Sequence, residues 1–231
     1  MNKQTVKKLV ELTANFYSIN SQEFDLKNKH FREGWKNIKF NDYSKVLDIA
    51  AGNYRLFEYL SSLNFGGSYS ALENSKDFVN YYKQNFLNSF KLFNIDAVSD
   101  LEKVENKYDL ITCFGFTHHL PSLKLRVKWF NQVGKLLSNN GKFIFTTWNF
   151  NTLSTFNKAK RQLEGVFEEG DLEDGDYFLG WDNGSASRYC HLYSNKEVSF
   201  ILSEAGFKPD SSFEADGKNN KSNTYYVVSH R

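Results

Sequence analysis

Short apolar runs alternate with longer amphipathic stretches over most of this chain, the rhythm of strands and helices taken in turn. Residues 3–18 carry Val6, Leu9, Val10 and Leu12 near helical spacing and predict an amphipathic helix that covers the segments after it. Val46 to Ile49 predicts a buried strand, followed by a loop and a helix carrying Leu56, Tyr59, Leu60 and Leu63. A Gly66-Gly67 break leads to a second strand, "SYSALE", and a second helix, so that one βαβ unit runs into the next. "FKLFNIDAV" supplies a third strand, and "YDLITCFGF" a fourth that is almost continuously apolar, as strands covered on both faces are.

The next helix carries Val127, Phe130, Val133 and Leu137, and the run Asn139 to Gly141 predicts its stop, with Gly141 as the left-handed residue beyond the end. "KFIFTTW" is the fifth strand. Residues 151–187 are polar, acidic and too long for a plain connection, which predicts an inserted lobe or lid. Regular structure resumes at Ser194, which has capping-box spacing to Glu197, and Gly206 ends that helix. "SSFEA" and "NTYYVVSHR", joined by "DGKNNKS", predict an antiparallel hairpin. The resulting fold class is α/β: a Rossmann-like, doubly wound sheet of parallel strands with a final antiparallel strand.

Composition narrows the function without naming it. The chain has 231 residues, 40% hydrophobic and 17% aromatic, enough to bury a substantial core. Cys113 and Cys190 are far apart and form neither a disulfide framework nor metal-ligand spacing, so no metal is expected and a reducing, cytoplasmic setting is. No stretch approaches the length of a membrane span, and the first residues lack the apolar run of a signal peptide. A net charge of +2 is too mild for a general nucleic-acid coat, but Lys3, Lys7, Lys8, Lys27, Lys29, Arg32, Lys36 and Lys39 crowd the first forty residues, and "EEGDLEDGD" (Glu168 to Asp176) is strongly acidic. Both patches also read as solvated faces.

Chemistry concentrates where parallel strands end, because backbone N–H groups and helix N-termini face the crevice there. The loop "AAGNY" (Ala50 to Tyr54) keeps one glycine where a dinucleotide fingerprint needs three, so a pyrophosphate is a poor ligand. Asp48, at the strand end, would repel a diphosphate and pair with an ammonium group. Glu73 ends the second strand, where an acid accepts hydrogen bonds from both hydroxyls of a ribose. An acid for an amine and an acid for a ribose describe S-adenosylmethionine better than a nicotinamide dinucleotide. Asp48 read instead as a helix cap, Glu73 as an exposed strand-end charge and Asp96 as a turn residue remain open.

"VLDIAAGNYR", "ALE", "NIDAV", "YDLITCFGFTHHL" and "LLSNNGKFIFTTW" succeed one another with the spacing of class I S-adenosylmethionine-dependent methyltransferases, and the chain resembles that superfamily over residues 40 to 231. Within it, "FTHHLPS", "GDYFLGW" and "SRYCHLYSNKEV" resemble the tRNA wobble-uridine methyltransferases that esterify a carboxymethyl group, and their uncharacterised bacterial relatives. The resemblance implies an N-terminal helical cover over residues 1–40 and a methyltransferase domain over 41–231, with 151–187 as insertion or lid. It implies S-adenosylmethionine as cofactor and S-adenosylhomocysteine as product, a tRNA substrate, a small activating protein partner and no membrane. Cofactor contacts are expected from Asp48, Ala50, Gly52, Arg55, Glu73, Asp96, Ala97, Phe114 and Gly115. On the acceptor side His118, Trp148, Tyr189 and His191 are expected to bind substrate.

Methyl transfer is an in-line displacement, and a carboxylate acceptor is already ionised at neutral pH. An arginine that grips it then matters more than a base, so Arg188 is the expected catalytic group with His119 orienting. For a hydroxyl or amine acceptor His119 becomes the general base. The pair His118-His119 also reads as packed structural histidines, and Arg188 as a partner for a phosphate or for the acidic run. "HFREGWKNIKF" (His30 to Phe40) offers aromatic stacking and phosphate contacts to an unpaired nucleotide. Lys27-Asn28 and Arg32-Glu33 stand where that family has a Thr-Arg pair and a Pro-Trp step, which keeps two alternatives in view. One is a small-molecule O- or N-methyltransferase with 151–187 as pocket lid, and the other is a non-catalytic relic of the cofactor fold.

Overall fold

The computed structural model describes residues 1–162, 167, 170–181 and 186–230. Strands β1 (Lys45–Ile49), β2 (Ser68–Leu72), β3 (Lys91–Phe93), β4 (Tyr108–Cys113) and β5 (Leu137–Trp148) lie parallel, and β10 (Asn223–His230) returns antiparallel between β5 and β9 (Phe207–Ala215). The order across the sheet is β3-β2-β1-β4-β5-β10-β9. This is the doubly wound sheet with a reversed strand that the apolar runs predict.

Side chains of one strand alternate between two cores, as the strand period demands. Leu47, Ile49, Ile111, Phe143 and Phe145 face helices α5 (Leu123–Leu136) and α7 (Asn195–Glu204), packing on Trp129, Phe130, Val198 and Ile201. Val46, Leu110 and Ile144 face α3 (Arg55–Ser62), α4 (Lys76–Asn85) and the N-terminal segment, packing on Leu56, Leu60, Phe78, Trp35 and Phe40.

Three expectations shift in detail. Helix α5 ends at Leu136, not at Asn139 to Gly141, because Leu137 is already extended and pairs with Tyr108 of β4. The left-handed residue there is Asn140 (φ 64°), and Gly141 is required because a Cβ would lie 2.9 Å from the Tyr108 carbonyl oxygen. The capping box at α7 is half formed: the Ser194 hydroxyl accepts from the Glu197 N–H at 3.2 Å, but the Glu197 carboxylate turns to His191 and Arg126 instead. Gly206 ends α7 with φ 76°, as expected.

The N-terminal helix α1 (Lys3–Ile19) is capped by Asn2, whose side chain accepts from the Thr5 N–H at 2.9 Å, and it buries Thr5, Leu9, Thr13 and Phe16. That face is rotated from the one predicted, because α1 rests on a second sheet and threonine hydroxyls satisfy polar groups there. A short helix α2 (Ser21–Lys27) and a 3₁₀ turn at Glu33–Asn37 come next, neither of which the sequence pattern announces. The second sheet lies between β5 and α7: after the short helix α6 (Phe156–Ala159) come strands β6 (Lys160–Arg161), β7 (Asp176–Gly180) and β8 (Ser187–His191), antiparallel in that order. Part of the acidic run, Glu168 and Glu169, lies outside the described residues. Leu9 of α1 packs on Phe178 of β7 and Tyr189 of β8, and the Tyr189 N–H donates to Thr13 Oγ1 at 3.2 Å. Among the described residues no helix is long and apolar enough to cross a membrane.

Candidate functional site

A cavity of about 410 Å³ opens at the C-terminal ends of β1, β2 and β4, roofed by α1 and the start of α2. Its size suits a small ligand, and it sits where chain connections leave β1 in opposite directions, the crevice in which ligands of doubly wound sheets collect. Ala50, Gly52, Arg55, Glu73, Asp96, Ala97, Phe114, Gly115 and His119 all line it. Six other expected residues do not: Asp48, His118, Trp148, Arg188, Tyr189 and His191 are absent from its wall.

The loop after β1 holds three alternate residues in the left-handed conformation, Ala50 (φ 58°), Gly52 (φ 59°) and Tyr54 (φ 60°). Glycine takes this conformation freely, whereas each other residue there costs about 1 kcal/mol. Tertiary contacts sustain it. Tyr54 is fully buried against Tyr82, Phe86 and Phe90, and its hydroxyl donates to the Phe78 carbonyl at 3.0 Å. The Ala51 N–H donates to the Leu72 carbonyl at 3.1 Å.

The Glu73 carboxylate draws the loops together. One oxygen accepts from the Gly52 N–H at 2.8 Å, and the other from the N–H groups of Asn74 at 3.0 Å and Ser75 at 2.8 Å. Asp96 is a turn residue that also lines the cavity. One of its oxygens accepts from the Val98 and Ser99 N–H groups in a tight turn, and the other receives the Asn74 side-chain amide at 2.9 Å along the cavity edge. Arg55 donates to Asn53 and to the His30 carbonyl, so it ties the N-terminal segment to the loop, and burial pulls its guanidinium down to about 10.

Asp48 stands behind the wall. Its carboxylate receives the Tyr69 hydroxyl at 2.9 Å and the Thr112 hydroxyl at 2.8 Å, which ties it into the sheet one layer behind the loop.

The acceptor-side residues form a second layer next to the cavity. His119 bonds through Nδ1 to the Tyr189 carbonyl at 2.7 Å, so that nitrogen carries the proton and Nε2 accepts from the Tyr17 hydroxyl at 2.9 Å. Burial and then the Arg188 charge lower the His119 imidazole to about 3, and burial raises the Tyr17 hydroxyl to about 12, so neither ionises at neutral pH. Tyr17 lines the cavity and carries the polar group that His119 was expected to present.

Arg188 is 4% exposed, and its guanidinium stacks among Phe16, Tyr17, Trp148 and Trp181 at 4.6–5.9 Å from the ring centres. Its Nε and Nη1 are buried without a hydrogen-bond partner, as is Nδ1 of the nearby His118. The expected open grip on a ligand is therefore replaced by a closed aromatic cage, one side chain removed from the cavity.

Tyr189 and His191 belong to a structural network rather than to the cavity. The His191 ring bridges Asp176 at 2.7 Å and Glu197 at 2.8 Å, the Tyr189 hydroxyl donates to Asp176 at 2.7 Å, and buried Arg126 pairs with Glu173 at 2.6 Å and Glu197 at 2.9 Å. The network clamps the second sheet to α5 and α7.

His118, His119 and Cys190 bring one potential metal-ligand atom each within 4.8 Å of one another. Both His119 nitrogens are already used, and the Arg188 cation lies beside the group, so it is a poor cation site.

Among the wall residues that the sequence pattern assigned to no site are Tyr17 and Arg32. Tyr17 sits on the helix predicted as a cover, and its aromatic character alone gave no signal. The expected stacking by "HFREGWKNIKF" fails for two of its rings: Trp35 (2% exposed) and Phe40 (1%) are core residues.

Residues 24–212 match the family described as Methyltransferase domain. The chain belongs to this family. A protein of Encephalitozoon cuniculi named as a methyltransferase is 24% identical over 197 residues, covering 84% of this chain and 85% of that one. Among solved structures, an S-adenosylmethionine-dependent methyltransferase from Clostridium acetobutylicum superposes with a TM-score of 0.65 at 16% identity, over 93% of this chain and 98% of that one. The DhpI–SAM–HEP complex gives 0.67 at 14% identity, over 95% and 97% of the two chains. Both share the fold of this methyltransferase-domain protein.

The buried groups make this methyltransferase domain sensitive to pH before any ligand binds. Burial pushes the Asp48 carboxyl up to about 6, and burial also raises Glu73. His191 is raised too: burial opposes its charge, but Asp176 and Glu197 more than offset that. Each of these pKa values is higher folded than unfolded, so each stabilising contribution is complete below the unfolded value and lost as pH rises through the folded one. For Asp48 the loss spans about pH 4 to 6, and for His191 it begins near pH 6.5. His118 and His119 act the other way: their pKa values are lower folded than unfolded, so they add stability as pH rises toward about 6.5. Asp48 alone is therefore expected to subtract about 1–2 kcal/mol of unfolding free energy between pH 5 and pH 7, against the opposite contribution of His118 and His119. Urea unfolding of the protein and of Asp48→Asn at the two pH values measures it: the substitution should make the change from pH 5 to pH 7 more positive by that amount, and an unchanged pH dependence would contradict it.

Proposed function

We propose that this protein is an S-adenosylmethionine-dependent methyltransferase that esterifies a carboxylate on a modified tRNA nucleoside, releasing S-adenosylhomocysteine. The residues present fit the cofactor. Glu73 has one lone pair left for a ribose hydroxyl, on the oxygen that also holds the Gly52 N–H, Asp96 and Ala97 border the adenine end, and the left-handed loop brings backbone rather than side chains against the ligand. When bound, S-adenosylmethionine supplies a methyl group made electrophilic by its sulfonium. The chain's task is then to align an acceptor oxygen with that methyl and to exclude water. Asp48 sits one layer below the loop, where its charge attracts the ligand amine without touching it.

The observation that carries the carboxylate reading is Arg188. A buried guanidinium with two unpartnered N–H atoms is costly to keep unless a ligand completes it, and a carboxylate matches its fork in charge and shape. Tyr17 and Trp181 then move aside when the acceptor enters. Seven exposed lysines in the first forty residues (Lys3, Lys7, Lys8, Lys27, Lys29, Lys36 and Lys39) suit a polyanion such as tRNA. A small-molecule carboxylate is the second reading, favoured by the roof that α1 places over the cavity and by the burial of Trp35 and Phe40. In either case α1 and the lobe at 151–187 act as the lid.

Incubation with methyl-labelled S-adenosylmethionine and bulk tRNA, followed by mild base, tests the proposal. Label in tRNA that base releases as methanol is the expected result. Base-stable label would move the acceptor to nitrogen, carbon or a hydroxyl oxygen, and label only in a metabolite extract would establish the second reading. S-adenosylhomocysteine binding without transfer to either pool would mark a cofactor-binding relic.

A further inference from the structure

The cavity has a charge axis. Glu73 and Asp96 lie at one end, and Arg32 lies against Gly115 at the other. Arg32 has five N–H donors; it donates to the Tyr225 hydroxyl oxygen and stands 3.5 Å through Nη1 from Asp216, its nearest carboxylate, while its Nε is buried with no partner. Gly115 (φ 82°) is what admits it, since a Cβ there would come within 2.7 Å of Arg32 Nη2. A cation with unspent donors at the wall of a ligand cavity is a site for an anion.

Asp216 fixes where that cation stands. It occupies the turn between β9 and β10 in the left-handed conformation (φ 66°) and is 8% exposed. Its carboxylate accepts from the Gly34 N–H at 3.0 Å, the Asn223 amide at 2.8 Å and the Tyr225 hydroxyl at 2.7 Å. Three good donors saturate most of its capacity, so Arg32 receives a charge partner at long range without being consumed by it. Gly34 is two residues from Arg32, so the same carboxylate holds both the backbone and the guanidinium of this segment. Tyr225 stacks on Phe213 and packs against Phe114, a wall residue, which makes the assembly stiff.

We propose that Asp216 is a positioning residue that sets Arg32 as the group holding the α-carboxylate of the cofactor. The inference rests on S-adenosylmethionine being the ligand. With ribose and adenine at the Glu73–Asp96 end, the amino-acid end falls toward Gly115, where Asp48 below and Arg32 beside the loop complement an ammonium and a carboxylate respectively. The C-terminal hairpin thereby becomes part of the cofactor site without touching the cofactor.

Calorimetry with S-adenosylhomocysteine and 5′-methylthioadenosine separates the possibilities, because the second compound keeps adenine, ribose and sulfur but lacks the amino-acid end. Arg32→Met is expected to weaken S-adenosylhomocysteine about 100-fold and to leave methylthioadenosine within about twofold, which also shows that the variant is folded. Arg32→Lys, which keeps the charge but not the fork, should recover part of the loss. Asp216→Asn should weaken S-adenosylhomocysteine about tenfold with methylthioadenosine again unmoved. Equal weakening of both compounds in Arg32→Met would make Arg32 a structural tie and overturn the assignment. An Asp216→Asn variant that binds S-adenosylhomocysteine as the unsubstituted protein does would overturn the positioning role. If the unsubstituted protein binds both compounds equally, the cofactor reading stands and the Arg32 assignment falls; if it binds neither, both fall.

Discussion

Arg188→Met is expected to make the protein more stable and to stop methyl transfer. The guanidinium is buried among four aromatic rings, and among the described residues no carboxylate pairs with it. Ring stacking returns part of the desolvation cost, on the order of 1 kcal/mol for each well-placed ring. Each unpartnered N–H costs about 1–3 kcal/mol, and Nε and Nη1 are two of them. Methionine has similar length and no donors, and replacing buried charges with fitted apolar groups is often neutral or stabilising. A gain of about 1–3 kcal/mol in unfolding free energy follows. The same change removes the caged cation facing the proposed acceptor, and losing one partner of a desolvated charge pair costs about 2–5 kcal/mol. That corresponds to a fall of about 10²–10³ in kcat/KM, with S-adenosylhomocysteine affinity unchanged because Arg188 does not reach the cofactor cavity. Urea unfolding, calorimetry and single-turnover labelling read the three quantities. A destabilised but active variant would show that Arg188 is an ordinary packing residue. The opposite signs are what distinguish a residue kept for chemistry from one kept for folding.

The same residue shows why the sequence could be read only so far. The sheet was legible because a strand buried on both faces must be apolar along its length, and "YDLITCFGF" and "KFIFTTW" are. The cofactor wall was legible for a related reason, since strand ends meet at one crevice whatever the details of the loops. The acceptor side was not. Whether Arg188 opens to the cavity or is caged depends on Trp181 just beyond β7 and, above all, on Phe16 and Tyr17 from α1, which are far away in the chain. No local pattern encodes such an encounter. Arg32 is hidden in the same way, because its geometry is set by a carboxylate on the last hairpin.

The glycine-poor loop is the instructive middle case. Its left-handed residues fall at alternate positions, but alanine and tyrosine occupy two of them. Glycine marks such conformations in a sequence because it adopts them without help. Tyr54 adopts one because its ring is trapped in an aromatic cluster, and that help is supplied by residues of α4 and the turn after it. The missing glycines therefore report a conformation that is paid for by packing, not a loop that has lost its shape.

That loop also sets the second large effect, expected for Glu73→Ala. The carboxylate gathers three backbone N–H groups, one from Gly52 across the cavity mouth and two from the turn after β2. Removing it leaves three donors to be satisfied by cavity water at best, and frees Gly52 from the contact that steadies the left-handed run. A loss of about 2–4 kcal/mol in unfolding free energy follows. Cofactor affinity should fall further than stability alone requires, because a ribose hydroxyl would lose its charged acceptor. One charge-assisted hydrogen bond at about 1.5–3 kcal/mol gives a weakening of about 10- to 100-fold. Glu73→Gln separates the two roles. Its single carbonyl oxygen can serve the Gly52 N–H or the Asn74–Ser75 turn but not both, and its amide brings donors where donors already point. It should therefore be destabilised about half as much as the alanine variant, yet bind S-adenosylhomocysteine almost as poorly. Calorimetry on both variants, with urea unfolding alongside, decides the matter. An alanine variant that unfolds early but keeps its affinity within about threefold would assign Glu73 to the turn alone and remove the acid on which the ribose end of the site depends.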